Sequence, residues 1–235
     1  MKHLLFAIAL SACGATLAPA PDAGHQASLA LQACHAQTPA TVNNAAELVQ
    51  LINVLPRPVT VPCVVAALPR PLPLVATHSQ TSAQPAEGSM SPRIFVMGAS
   101  LVIAVVPSGA GANLLETGEW VTSTRTIKGE LELPVSAPVA SDALYTHVAT
   151  TTQRTTCALC HRDEAPHDTR ASAFVSTAYR PNPGEELTEA AVEALHDACV
   201  ESGETTGRCE LLHALYDFGA VRQSAFRREV ELFIP

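Results

Sequence analysis

From residue 126 to 135 the chain alternates in polarity. Ile127, Leu131, Leu133 and Val135 fall on one side, and Lys128, Glu130 and Glu132 on the other. A period of two with one apolar side predicts a half-buried antiparallel strand. Residues 93–97, apolar after Arg93, and 101–106 read as two strands separated by Gly98-Ala99-Ser100, the pattern of a hairpin with a glycine-containing turn. Leu114-Leu115-Glu116 predicts another short strand. Leu55-Pro56-Arg57-Pro58 recurs as Leu68-Pro69-Arg70-Pro71, and each copy leads into an apolar run, 59–65 and 72–77. Proline cannot donate to a sheet ladder, so the repeats are expected at the starts of two strands, with both arginines on the surface.

The period changes at either end of this stretch. Residues 44–53 predict a short helix. After residue 150 charges become frequent and apolar residues return at helical spacing. Thr188 is placed to cap a helix that carries Val192, Leu195 and Cys199 on one face and ends at Ser202-Gly203. Leu187 and Val192 form its hydrophobic staple. A second helix is expected over 208–218, stopped by Gly219. The fold class expected is α+β: a mainly antiparallel β sandwich or barrel-like domain over 45–149, followed by a small helical region over 150–235. Aromatics are only 4% of the chain, so its interior should be aliphatic.

Residues 1–12 have a positive start and a short apolar run, the form of a secretory signal. Leu10-Ser11-Ala12-Cys13 resembles the lipobox of bacterial lipoproteins. The resemblance implies lipidation of Cys13, a membrane partner through the lipid anchor, and a place in the cell envelope. Gly14, where an Asp would favour inner-membrane retention, leans towards the periplasmic face of the outer membrane. An ordinary signal cut near Ala18-Pro19-Ala20 is the alternative. Residues 13–44 are rich in Ala, Pro, Thr and Gln and read as a flexible tether. The 94–106 stretch is too short, and too interrupted by Gly98-Ala99-Ser100, to cross a bilayer.

The densest chemistry lies at Cys157-Ala158-Leu159-Cys160-His161. This C-x-x-C-H spacing is that of c-type haem attachment. Two thiols add to the vinyl groups of haem, and the adjoining imidazole ligates the iron. Seven cysteines are present. With Cys13 assigned to lipid and Cys157 and Cys160 to haem, Cys34, Cys63, Cys199 and Cys209 remain. The partition expected is Cys34–Cys63 and Cys199–Cys209, the latter closing a helical hairpin, although six cysteines allow 15 connectivities. The count closes equally well if Cys157–Cys160 is a disulfide.

The distal side of such a haem is less defined. No Met follows residue 97, which departs from the usual cytochrome c pattern. His167, His196 and His213 lie downstream. His35, His147 and Met97 are more distant candidates. Without any of them the iron is five-coordinate and open to a small ligand.

Three functions fit. The first is a lipid-anchored haem c protein for electron transfer or redox and ligand sensing, with a periplasmic redox partner. The second is a structural or interaction lipoprotein without haem. The third is a thiol–disulfide or metal site at Cys157, Cys160 and His161, with His167 as the nearest further ligand. A redox C-x-x-C usually opens a helix in a βαβ unit, and none is visible. A net charge of −8 excludes the basic footprint of nucleic-acid binding. Hydrolase signatures are missing, and Asp163-Glu164 read as solvated loop charges. The chain also loosely resembles uncharacterised predicted lipoproteins of Gram-negative bacteria, through its Pro-Arg-Pro repeats with Cys63, Ser91-Pro92-Arg93-Ile94-Phe95, Ile127-Lys128-Gly129-Glu130-Leu131, the C-x-x-C-H and Arg208-Cys209-Glu210. That resemblance implies no activity.

Overall fold

The computed structural model describes residues 28–82 and 84–233. The signal segment 1–12, Cys13 and the first part of the 13–44 tether lie outside the described residues. The helices are α1 (Leu29–His35), α2 (Ala45–Val54), α3 (Val61–Ala66), α4 (Ala143–Val148), α5 (Glu189–Ser202) and α6 (Gly207–Tyr216). Strands β1 (Leu72–Thr77), β2 (Arg93–Met97), β3 (Leu101–Val105), β4 (Leu114–Trp120) and β5 (Arg125–Glu132) are followed by shorter ones. These are β6 (Ala149–Thr151), β7 (Arg154–Thr155), β8 (Ala165–Pro166), β9 (Phe174–Thr177), β10 (Tyr179–Arg180), β11 (Glu186–Leu187), β12 (Val221–Gln223) and β13 (Glu231–Leu232).

The fold is α+β around one open sheet in the order β11-β1-β2-β3-β4-β5-β9-β8, with β12 also beside β1. Strands β1 to β5 run as an antiparallel meander, and β9 continues it antiparallel to β5. β12 lies parallel to β1. The sheet is not closed into a barrel. One of its faces carries Leu74, Ile94, Ile103, Leu115, Ile127 and Leu131, which merge into a core with residues of all the helices. Leu48 and Ile52 of α2 are fully buried there, each contributing ~1.5–3 kcal/mol by burial. Helices thus cover this face, where a sandwich would have a second sheet. The opposite face holds only a small apolar cluster, Val75, Phe95 and Ala104 with Phe226, before giving way to polar residues.

Local sequence explains most of the elements. Asn44 caps α2 by accepting from the Glu47 amide, and Thr188 caps α5 by accepting from the Ala191 amide. Gly203 ends α5 with φ 64°, a left-handed conformation that suits glycine. Gly129 serves a different need. A side chain there would place Cβ 2.7 Å from Thr117 Oγ1 and 3.0 Å from Leu144 Cβ, so its absence lets α4 lie directly on β5.

Three expectations change. Residues 59–65 are not a strand: Thr60 caps α3 by accepting from the Cys63 amide, and Pro62 sits in the first turn. The tether segment contains α1, which buries Leu31 and Cys34 and packs on α3. The regions divided at residue 150 share one sheet and one core, because β9, β11 and β12 come from beyond that point. The repeats differ as well. Arg57 stays close to its own helix end, with Nη2 3.4 Å from the Asn53 carbonyl. Arg70 is drawn inward and donates to the Leu215 and Ala214 carbonyls at 2.5 and 2.7 Å, satisfying the end of α6. Its burial lowers the guanidinium to about 10.

Candidate functional site

The C-x-x-C-H segment forms one tight turn next to the polar face of the sheet. Thr156–Leu159 is a short 3₁₀ helix capped by Thr155, whose hydroxyl accepts from the Cys157 amide at 3.1 Å. The Cys160 and His161 amides both donate to the Cys157 carbonyl, at 3.1 and 2.8 Å. Two thiols and an imidazole are thereby gathered on a single turn. Glu164 fastens that turn from below by accepting from the Thr155 amide at 2.8 Å and from its hydroxyl. Asp163 accepts from Thr177 Oγ1 at 3.2 Å. Glu164 therefore staples the loop, while Asp163 stays exposed beside its one contact to β9.

His161 is held firmly. Its Nδ1 lies 2.8 Å from the Thr177 carbonyl at the end of β9, and its ring stacks on Tyr179 with centroids 5.5 Å apart. A carbonyl only accepts, so Nδ1 carries the proton, and the lone pair of the neutral ring is on Nε2. Burial, followed by the positive charge of Lys128, pushes the imidazole down to about 3. The ring is therefore neutral throughout the physiological range. A ligating His is characteristically held in this way, with its second nitrogen donating to a backbone carbonyl.

Lys128 projects from the polar face of β5 and acts electrostatically on both His161 and Cys157. Desolvation lowers it to about 8. The Cys157 thiol is pushed up by burial, against the opposing effects of the Thr155 hydroxyl and Lys128. Cys157 therefore stays protonated at neutral pH, whereas thiol–disulfide exchange relies on a thiolate. Nearby on the same face, Arg93 pairs with Glu116 and lies over Phe95, and Glu130 pairs with His147 Nε2 at 3.0 Å.

The cysteines divide into pairs and free thiols. Cys34 is bonded to Cys63, joining α1 to α3, and Cys199 to Cys209, joining α5 to α6. Cys157, half-buried, and Cys160, exposed, are free. For haem the donor set fits: two unpaired thiols three residues apart and a neutral imidazole with Nε2 as its lone-pair nitrogen.

The distal candidates are engaged elsewhere. His167 Nδ1 accepts from the Thr169 and Arg170 amides, both at 3.2 Å, so its proton sits on Nε2 and leaves no lone pair for iron. His35 stacks on Phe218, and its Nδ1 lies 3.0 Å from the Ala66 carbonyl. It is part of a packed helix and not a linker residue. His196 and His213 both face Asp217. Met97 packs beside Phe95. A groove of about 520 Å³ runs between residues 149–152 and 166–174, but Cys157, Cys160 and His161 do not line it.

Lys128, Thr155, Glu164, Thr177 and Tyr179 complete the site, and no motif marks them. Only the alternation of β5 places Lys128 on the face away from the core. In comparison with known proteins, the chain matches no family model, no curated protein and no solved structure.

Proposed function

We propose that the protein is a lipid-anchored cell-envelope protein that carries a covalent c-type haem on Cys157, Cys160 and His161 and serves in electron transfer or redox and ligand sensing. One observation carries the reading. The two free thiols share a turn with an imidazole whose Nδ1 is committed to the Thr177 carbonyl. Attached haem would be held by thioether bonds from Cys157 and Cys160, each thiol adding across a vinyl group with its hydrogen passing to the neighbouring carbon, so that no oxidant would be consumed. Bound haem supplies one-electron chemistry or a coordination position for a small ligand.

The protein's own groups orient and tune the site. Thr177 fixes the imidazole tautomer, and Tyr179 holds the plane of the ring. The hydrogen bond to a carbonyl makes the ring a better donor. Lys128 supplies a positive charge beside the site. The anchor at Cys13 and a place on the periplasmic face of the outer membrane belong to the same proposal, supported by the lipobox resemblance. A periplasmic electron donor or acceptor would be the redox partner.

The test is expression with the signal segment in a host competent for cytochrome c maturation. Haem that survives denaturation and gives a pyridine haemochrome spectrum, lost in Cys157→Ala/Cys160→Ala, is the expected result. A colourless protein overturns the haem reading and leaves a structural or interaction lipoprotein.

A further inference from the structure

A second cluster of donor side chains lies in the α5–α6 hairpin. His196 is on α5, His213 on the last turn of α6, and Asp217 caps that helix. His196 Nε2 is 2.8 Å from Asp217 Oδ1, and His213 Nδ1 is 2.9 Å from Asp217 Oδ2. One ligand atom from each lies within 4.8 Å of the other two. The side chains are 14%, 19% and 15% exposed, although Asp217 as a residue lies at the surface. The Cys199–Cys209 bond fixes the two helices, and Tyr216 packs against the His196 ring, centroids 5.4 Å apart.

His196 faces two carboxylates. Its Nε2 faces Asp217, and its Nδ1 faces Asp197 at 3.4 Å. A neutral imidazole has one donor and cannot serve both; an imidazolium has two and can, and a neutral ring that binds a cation can as well. With a cation between Nε2 and Asp217, Nε2 gives its lone pair to the metal, and Nδ1–H points to Asp197. That is the carboxylate–histidine–metal arrangement of ligating histidines. Among the described residues Asp217 has no Arg or Lys partner to neutralise it.

We infer that His196, His213 and Asp217 form a site for a single divalent transition metal of the zinc type, with water as the fourth ligand. Two nitrogens and a carboxylate oxygen suit Zn²⁺ with an open position. Bonds of ~2.0–2.1 Å in a tetrahedron separate ligand atoms by about 3.4 Å, so the imidazole nitrogen that faces the ligating Asp217 oxygen moves off by about half an ångström on binding. The site is separate from Cys157, Cys160 and His161 and does not depend on the haem reading.

The experiment uses the full chain in a Cys157→Ala/Cys160→Ala background, which removes the free thiols among the described residues. Titration with Co²⁺ should give one equivalent of a tetrahedral visible spectrum, which Zn²⁺ then displaces. His196→Gln and Asp217→Asn should abolish the spectrum. Asp197→Asn, at an exposed position, should keep the fold by circular dichroism yet weaken Co²⁺ by the ~10–100-fold typical of a lost outer partner. A background protein without the spectrum overturns the inference. So does unchanged Co²⁺ affinity in folded His196→Gln, or in Asp197→Asn.

Discussion

The Glu119 carboxylate accepts a hydrogen bond from the Ala45 amide at 2.9 Å, across 74 residues of chain. Glu119 lies on the core side of β4, and Ala45 begins α2. The carboxylate occupies the positive end of the helix, where amides lack partners within it. Its other oxygen pairs with Arg170 at 2.6 Å. Glu119 is only 8% exposed, so this carboxylate is a strut between sheet, helix and the 166–174 loop.

The two partners of that strut should respond unequally. Glu119→Ala strands the Ala45 amide and removes the ion pair, at a cost of about 2–4 kcal/mol. Arg170 is 40% exposed and screened by solvent, so Arg170→Ala should cost about 1 kcal/mol or less. Urea unfolding of both variants checks the order. Equal losses would place the strength in the ion pair and not in the helix contact.

Gly129 gives a steric prediction. Gly129→Ala brings a methyl within 2.7 Å of Thr117 Oγ1 and 3.2 Å of the Leu144 carbonyl. β5 and α4 must then separate, at a cost of about 1–3 kcal/mol. Thermal unfolding should show a lower midpoint with secondary structure retained. Gly118, on β4, has only ordinary contacts at 3.6 Å, so Gly118→Ala is the control and should cost less.

The disulfides differ in the loop they close. Cys34–Cys63 spans 29 residues and Cys199–Cys209 spans 10. In the chain-entropy account the longer loop contributes about 3–4 kcal/mol and the shorter about 2–3. Paired Cys→Ala variants, unfolded under non-reducing conditions, should rank in that order. Non-reducing peptide mapping should find these two linkages, and a Cys34–Cys199 link would refute them.

The legibility of the chain follows from the range of each interaction. The β2–β3 turn, the β5 alternation, and the caps Thr188 and Gly203 are local, and each is readable from a few neighbouring residues. The run from Val61 to Ala66 is apolar on every side because α3 is fully enclosed, and such a run carries no period to separate helix from strand. Strands β11 and β12 are two and three residues long and enter the sheet by pairing with β1, so no local pattern announces them. The open sheet follows from the same fact. Its helical cover comes from both ends of the chain, and the sequence pattern does not show that the two ends meet. At the candidate site the donors Cys157, Cys160 and His161 were legible through their spacing. Thr177 and Tyr179 reach the ring by the β9 pairing and could not be read in advance.

The acid limb of stability should report on His161. Its folded value of about 3 lies well below the ordinary 6.5, so between these values the unfolded chain holds a proton that the folded chain lacks. Stability from this group is complete above pH 6.5 and declines as pH falls towards 3, by ~1.4 kcal/mol per pH unit at most. Lys128, lowered to about 8 from 10.5, works in the same sense at higher pH: the folded state gains stability as pH rises from 8 to 10.5. The measurement is urea unfolding against pH in the Cys157→Ala/Cys160→Ala background, which takes up no covalent haem. His161→Phe should flatten the slope between pH 6.5 and 5, before most carboxylates titrate, while leaving the alkaline rise. Lys128→Met should remove the alkaline rise and keep the acid slope, which then ends at a higher pH because the Lys128 charge helps hold His161 down. If the acid slope persists in His161→Phe, the buried neutral imidazole is not its source.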